Sequence, residues 1–211
     1  MTPTADQREA TRLSARMRTA GRAHHDDVRA TPFVTALHAR VLPWKAYADW
    51  LSQLFLIHEA LVQAESAMVG AAVEPVLVRS ATVSLPALAA DLRFLYGPGW
   101  SDRVTARPAT TVHCTHLRDV AFRRFSGFVA HHWTRHAEDL SIARHLAPAV
   151  ATAYGLDGPG IRFLWPNLAP FHEEYGAIID ATPGRAGLMT QATTAQANYL
   201  DVLTDLGRSW A

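Results

Sequence analysis

An all-α single domain, a bundle of about seven or eight helices, is the fold class this sequence predicts, and three observations predict it. Apolar residues recur at the three-and-four spacing of an amphipathic helix through most of the chain. No segment shows the paired alternation that marks strands, and no repeat of fixed period is visible. With 211 residues and 49% hydrophobic content, the chain holds apolar material for one core and has a length that suits one domain spanning 1–211.

Each element follows in order. Residues 1–8 are expected to be disordered. Leu13, Met17, Ala20 and His24 form one inward stripe, predicting a first helix over residues 7–28. Thr31 and Pro32 supply a cap and a first-turn proline for a short helix to about Val41, which Leu42 and Pro43 punctuate. From Trp44 to about Val69, Leu51, Leu54, Phe55, His58, Leu61 and Val62 keep the helical rhythm over a length that suits a central helix. Residues 73–85 carry β-branched residues but contain Pro75 and precede Pro86, which reads as a loop with a helical turn at most. Pro86 opens a helix that Gly97, Pro98 and Gly99 stop. Thr110 to Ala147 reads as two helices broken near Phe125-Ser126-Gly127, where Ser126 can cap and Gly127 relaxes the backbone. Gly155–Gly160 is a loop, a further helix begins at Asn167 or Pro170 and runs to Ala181, and the last spans roughly Leu188 to Leu206.

Composition narrows the function. Twenty Lys and Arg against 19 Asp and Glu leave a formal charge of +1, so no cationic surplus marks a nucleic-acid binder. Cys114 is the single cysteine, which excludes an intramolecular disulfide and a thiolate zinc cluster and reads as buried filler. The N-terminus lacks the apolar core of a signal peptide, and no stretch approaches about eighteen uninterrupted apolar residues. A cytoplasmic protein without membrane or nucleic-acid partners, monomeric or weakly dimeric, is the expectation.

Eleven histidines are many for this length. His38, His113, His116 and His145 have no companion that marks a site and read as surface or satisfied core. His25 differs, because Arg18 and Arg22 lie seven and three residues before it and project from nearly the same helix face. An imidazole with two guanidiniums suits haem, whose iron takes a neutral imidazole and whose two propionates pair with arginines. A solvated basic helix face with a partly buried histidine is the competing reading.

Four collinear segments carry a family resemblance. Leu13 to Phe33 has a His followed eight residues later by Phe. Leu92-Arg93-Phe94-Leu95-Tyr96-Gly97-Pro98-Gly99-Trp100 ends in Tyr-Gly-Pro-x-Trp. Pro108-Ala109 leads to Val129-Ala130-His131-His132-Trp133-Thr134-Arg135, and Gly160-Ile161-Arg162-Phe163-Leu164-Trp165-Pro166-Asn167 closes the set. Together they resemble the haem oxygenases, as a divergent bacterial-type member. The resemblance implies that His25 is the proximal iron ligand, with His24 the competitor, and that Arg18 and Arg22 stand near the propionates. Arg135 and Asp139 fall on the distal pair that holds a water network. An ionised carboxylate cannot donate a hydrogen bond, so Asp139 would orient a water that does, a relay that steers oxygen chemistry toward the macrocycle edge. Haem b would be both substrate and prosthetic group, opened to biliverdin, iron and carbon monoxide with O2 and electrons from an external donor such as ferredoxin or a reductase.

Departures from the pattern are informative. The family's Gly-Asp-x-Ser-Gly-Gly reads Glu138-Asp139-Leu140-Ser141-Ile142-Ala143 here, and side chains at 138, 142 and 143 are expected to straighten the helix and fill space beside the haem. His172 and Gly176 replace cationic anchors on the penultimate long helix. His58 replaces a distal tyrosine, and Gln196 and Leu203 stand where aromatics close the pocket. These changes admit a haem carrier or sensor that leaves the ring intact. His58, Glu59, Glu138, Asp139 and His136 also admit a non-haem iron centre, although Leu51 occupies the place of the glutamate that would precede His58. A buried His58 paired to Asp139 or Glu138 is the competing reading of those residues, and a scaffold whose cleft the distal helix itself plugs completes the alternatives.

Overall fold

The computed structural model describes residues 12–68, 75–123, 125–165, 171–182 and 186–211, so the expected disorder at 1–8 lies outside the described residues. Among them are eight α-helices and no strand: α1 (Leu13–Ala30), α2 (Pro32–His38), α3 (Trp44–Met68), α4 (Pro75–Tyr96), α5 (Pro108–Arg123), α6 (Phe125–Tyr154), α7 (Phe171–Ala181) and α8 (Ala186–Trp210). Two short 3-10 turns, Trp100–Arg103 and Arg162–Leu164, join them. The all-α expectation holds.

Local chemistry explains the boundaries. Thr31 leaves the helical region (φ −62°, ψ 143°), and its hydroxyl accepts from the Val34 N–H while Pro32 occupies the first turn of α2. That helix ends at His38, three residues before the expected Val41, because Arg40 takes the left-handed conformation at φ 63°. The reading of 73–85 as a loop is corrected: Pro75 starts α4, which runs through Pro86 to Tyr96. A proline at the first helical position forfeits no hydrogen bond, and β-branched residues cost at most about 0.7 kcal/mol each in a helix, so neither bars the segment from joining α4. α6 likewise carries Pro148 inside it and continues past the expected Ala147 to Tyr154.

α6 is the axis of the bundle, packing on α1, α2, α5 and α8, while α3 packs on α4 and α5. Trp50, Tyr47, Tyr175, Tyr199, Phe33 and Phe128 are the largest fully buried side chains, and their polar ends are satisfied in ways that tie elements together. Tyr47 Oη donates to the Gly160 carbonyl at 3.0 Å, and Trp50 Nε1 donates to Tyr199 Oη at 3.1 Å. Asp91, fully buried on α4, accepts the Arg162 and Phe163 N–H groups at 3.0 and 2.8 Å and so pins the second 3-10 turn. Ser14 holds α1 against α7, its N–H and hydroxyl donating to the two carboxylate oxygens of Asp180 at 3.0 and 2.9 Å. Cys114 is buried in the core as expected.

Gly127 serves packing rather than a relaxed backbone. A Cβ there would collide with Val120 Cγ1 and stand 3.2 Å from the Val120 carbonyl oxygen, so the start of α6 rests directly on α5. Gly127→Ala is expected to lower stability by about 1–3 kcal/mol through that overpacking, measured as a fall in the urea midpoint with an unchanged m-value.

Candidate functional site

α1 and α6 diverge enough to leave a cleft of about 350 Å³ between them. Helical periodicity decides what lines it. Met17, Arg18, Gly21, Arg22, His25 and Arg29 come from one face of α1, and Trp133, Ala137, Leu140, Ser141 and Arg144 from the facing side of α6. The rim is cationic and the walls are largely apolar. Arg29 crosses the cleft to donate to Ser141 Oγ at 3.2 Å, Arg22 leans on Thr19 Oγ1 at 3.1 Å, and Arg18 Nη1 lies 3.6 Å from where a Cβ on Gly176 would stand. Gly21 is buried, yet a Cβ added to it would meet nothing within 4 Å, so the space beside it is cleft.

The two histidines of α1 part company. His25 is 19% exposed and lines the cleft, whereas His24 is buried and faces a small inner cavity with His113, His131, Thr134, Arg135, Glu138, Ala195 and Tyr199. Glu138 stands between them. Its Oε2 lies 3.5 Å from the Nε2 atoms of both His24 and His25, while its side chain is 1% exposed and neither carboxyl oxygen accepts a hydrogen bond. Burial pushes the Glu138 carboxyl up to about 7, against the pull of Arg135.

Behind Glu138 lies a charged cluster in which Arg135 Nη2 is buried without a hydrogen-bond partner. Arg135 Nε donates to Asp139 Oδ1 at 2.7 Å, and His58 Nε2 approaches Asp139 Oδ2 at 2.9 Å. The Arg135 guanidinium also stacks over the Tyr199 ring at 4.1 Å. Burial alone would raise the Asp139 carboxyl, but Arg135 and His58 outweigh it and hold it below the ordinary carboxylate range. His58, Arg135 and Asp139 are thus brought together, from α3 and α6, one layer behind the cleft.

Other expected site residues fall elsewhere. Ile142 and Ala143 are buried in the core rather than lining the cleft, since α6 turns the 137, 140, 141 and 144 face toward α1. The side chain of His172 lies outside the described residues. His136 stacks on Tyr175 with ring centroids 6.4 Å apart. Among the described residues, no three His, Cys, Asp or Glu side chains converge to hold a metal ion, so the non-haem iron alternative lacks a ligand set. Sequence reasoning missed Arg29 and Arg144, although each follows another cleft residue by four positions, and it missed Gly21. It also read His113 as surface or satisfied core, whereas the structure buries it with no hydrogen-bond partner for Nδ1.

An all-α bundle with one cleft-facing imidazole between two helices and a ring of arginines is the class that fold and site define. The chain belongs to the haem oxygenase family, whose model "Heme oxygenase" matches residues 11–200. It is similar to the heme oxygenase of Guillardia theta, 23% identical over 192 residues covering 88% of this chain and 80% of that one. It is also similar to that of Rhodella violacea, 23% identical over 149 residues, 70% of this chain but only 63% of the relative's length. Among solved structures it resembles heme oxygenase-1 from the cyanobacterium Synechocystis in complex with heme, with a TM-score of 0.79, 22% identity and 93% and 92% of the two chains covered. Heme oxygenase from Leptospira interrogans superposes with a TM-score of 0.75 at 19% identity, covering 93% and 98%. These superpositions establish the haem oxygenase fold. No helix among the described residues is long and apolar enough to cross a membrane.

The inner histidines make stability depend on pH. Burial lowers His113 to about 3 and His131 to about 4, with neighbouring histidines adding to the shift. An unfolded histidine titrates near ~6.5, so below that pH the unfolded chain binds more protons than the folded one. Their stabilisation is therefore complete above about pH 6.5 and is lost as pH falls toward the folded values. Urea unfolding from about pH 7 to 4 is expected to show this decline, at up to ~1.4 kcal/mol per pH unit for each group, and His113→Gln is expected to flatten it.

Proposed function

We propose that this protein binds haem b in the α1–α6 cleft and opens it to biliverdin, iron and carbon monoxide, using O2 and electrons from an external donor such as ferredoxin or a reductase. The observation that carries the reading is the pairing of cleft-facing His25 with Gly21, one turn earlier, whose side-chain space is open. A glycine inside a helix costs roughly 1 kcal/mol relative to alanine, and no protein atom requires its presence here. The open space therefore suits a ligand. The residues fit haem in kind: an imidazole for iron, arginines at 18, 22, 29 and 144 for carboxylates, and Met17, Trp133, Ala137 and Leu140 for an apolar ring.

Bound haem would supply the iron centre at which O2 is activated. The chain's own residues do the rest. His25 would hold the iron from α1, and the arginines at 18, 22, 29 and 144 would pair with the propionates. Asp139, kept ionised by Arg135 and His58, orients a water so that its proton points into the cleft. Tyr199 and Trp50 hold Arg135 in place through the ring stack and the indole hydrogen bond. A haem carrier or sensor that leaves the ring intact is favoured by one observation, the Glu138 carboxyl buried beside His25, with Oε2 3.5 Å from Nε2.

Hemin titration is expected to give a Soret band at micromolar concentration. His25→Ala should abolish the axial-ligand signature while His24→Ala retains it. With ascorbate or a reductase the band should decay to a biliverdin absorption. A stable band identifies the carrier, and no Soret shift removes both haem readings. The glycine makes an independent prediction. Gly21→Ala should raise the stability of the ligand-free protein by about 0.5–1 kcal/mol, whereas Gly21→Leu should weaken hemin binding by about tenfold or more.

A further inference from the structure

Tyr175 is a fully buried phenol that the haem reading leaves unused. Burial pushes it well above the ordinary phenol range, so its hydroxyl carries the proton. Two acceptors lie within reach, His132 Nδ1 at 2.8 Å and the Val129 carbonyl oxygen at 3.5 Å, and the imidazole nitrogen is the one at ordinary hydrogen-bond length. A neutral imidazole is also a base that can take the phenolic proton outright. Other tyrosines are placed differently. Tyr47 and Tyr154 donate to the carbonyl oxygens of Gly160 and Leu42, which are not bases, and Tyr199 accepts from Trp50 beneath the Arg135 cation. Tyr175 is connected to the cleft as well: its ring centroid lies 5.3 Å from that of Trp133, whose side chain lines the cleft wall.

We propose that Tyr175 and His132 form a redox-active tyrosine, a one-electron donor that is reached through Trp133 and quenches oxidants generated in the cleft. The oxidant class is a peroxide, to which a cleft that activates O2 on haem is exposed, and in that respect the inference rests on the haem reading. Hydrogen peroxide needs two electrons and two protons to become two waters. Tyr175 gives one electron by way of the Trp133 indole, the external donor gives the other, and both protons come from solvent. As its electron leaves, the phenolic proton crosses to His132 Nδ1, so the protein is left with a neutral phenoxyl radical and an imidazolium. Without the base, the positive charge would stay on the phenol itself, in a site that water does not solvate. Glu65 on α3, 7% exposed and already acting on Tyr175 by its charge, favours the positive charge that the pair acquires. A further electron from the donor and return of the proton to Oη restore the pair. Met17, the thioether in the cleft lining, is what such a donor spares from sulfoxide formation.

The test begins with the ligand-free full chain, oxidised by photogenerated ruthenium(III) tris-bipyridine, which removes single electrons without haem. Freeze-quenched samples are expected to show a tyrosyl radical in electron paramagnetic resonance that is lost in Tyr175→Phe and that narrows when the tyrosine rings are deuterated. His132→Gln keeps a hydrogen-bond acceptor but no base, and should slow radical formation by about a hundredfold or more. Wild-type protein loaded with hemin and given equimolar hydrogen peroxide should produce the same radical, and Tyr175→Phe should then accumulate Met17 sulfoxide faster, read by mass spectrometry. A radical that survives Tyr175→Phe, or that forms as fast in His132→Gln, overturns the proposal. Tyr175→Phe keeps the ring that packs on Trp133, and circular dichroism of both variants checks the fold. A Tyr175 radical with ruthenium but none with hemin and peroxide supports the tyrosine pair and strikes the haem reading, whereas no Tyr175 radical under either oxidant removes the pair itself.

Discussion

One carboxylate, held ionised inside the bundle, is the constraint from which the cleft takes its shape. Asp139 is 3% exposed and sits between Arg135 on its own helix and His58 on α3. Through His58 it locks α6 to α3, and through Arg135 stacked on Tyr199 it locks α6 to α8. Trp50 closes the circuit by binding Tyr199 from α3. Removing one member of such a cluster leaves an uncompensated buried charge, at a cost of about 3–5 kcal/mol, so α6 has little freedom to rotate. Because the helical phase is thereby fixed, the residues α6 offers to α1 are fixed with it, and Glu138 is delivered to the boundary between the cleft and the polar interior.

That interior is unusual for a bundle core. His131, His132, Thr134, Arg135, His136, Glu138 and Asp139 are all buried along two turns of α6. The helix tolerates them by holding the His131 imidazole well below its ordinary value through burial and by recruiting hydroxyls from other elements, as where His132 Nδ1 and Tyr175 Oη meet at 2.8 Å. A polar seam of this kind gives up packing energy for a definite geometry, and it places titratable groups where the solvent dielectric does not reach them. The cleft side of the same helix is the reverse, with Trp133, Ala137 and Leu140 forming an apolar wall under arginines.

Much of this was legible in the sequence, for physical reasons that differ from residue to residue. The helices were readable because their apolar residues keep a period that only one backbone geometry satisfies. The Arg135–Asp139 pair was readable because a spacing of four places two side chains together on any helix, and a His58 partner on Asp139 was among the alternatives because α3 and α6 were expected to face each other. Pro75 misled, since a proline that breaks a helix from within is harmless at its first position. The separation of His24 from His25 could not be settled by spacing, because adjacent residues differ by about 100° of helical rotation and only the packing of α1 on α6 says which points outward. The same is true of Ile142, which the sequence placed beside the ligand and the bundle turned into the core. Gly21 carries no motif, and its meaning appears only when the space beside it is known.

That space has a consequence for the life of the protein in a cell. A helix that keeps a glycine where alanine would be more favourable, beside a cleft no side chain fills, leaves the empty chain as its less robust form. Whatever occupies the cleft contributes its binding free energy to the folded state, about 2.7 kcal/mol at a free concentration a hundred times the dissociation constant. Proteolysis draws on the transiently opened population, which shrinks by the same factor. Ligand supply therefore acts on the lifetime of the chain as well as on its occupancy: the loaded form opens less often than the empty one.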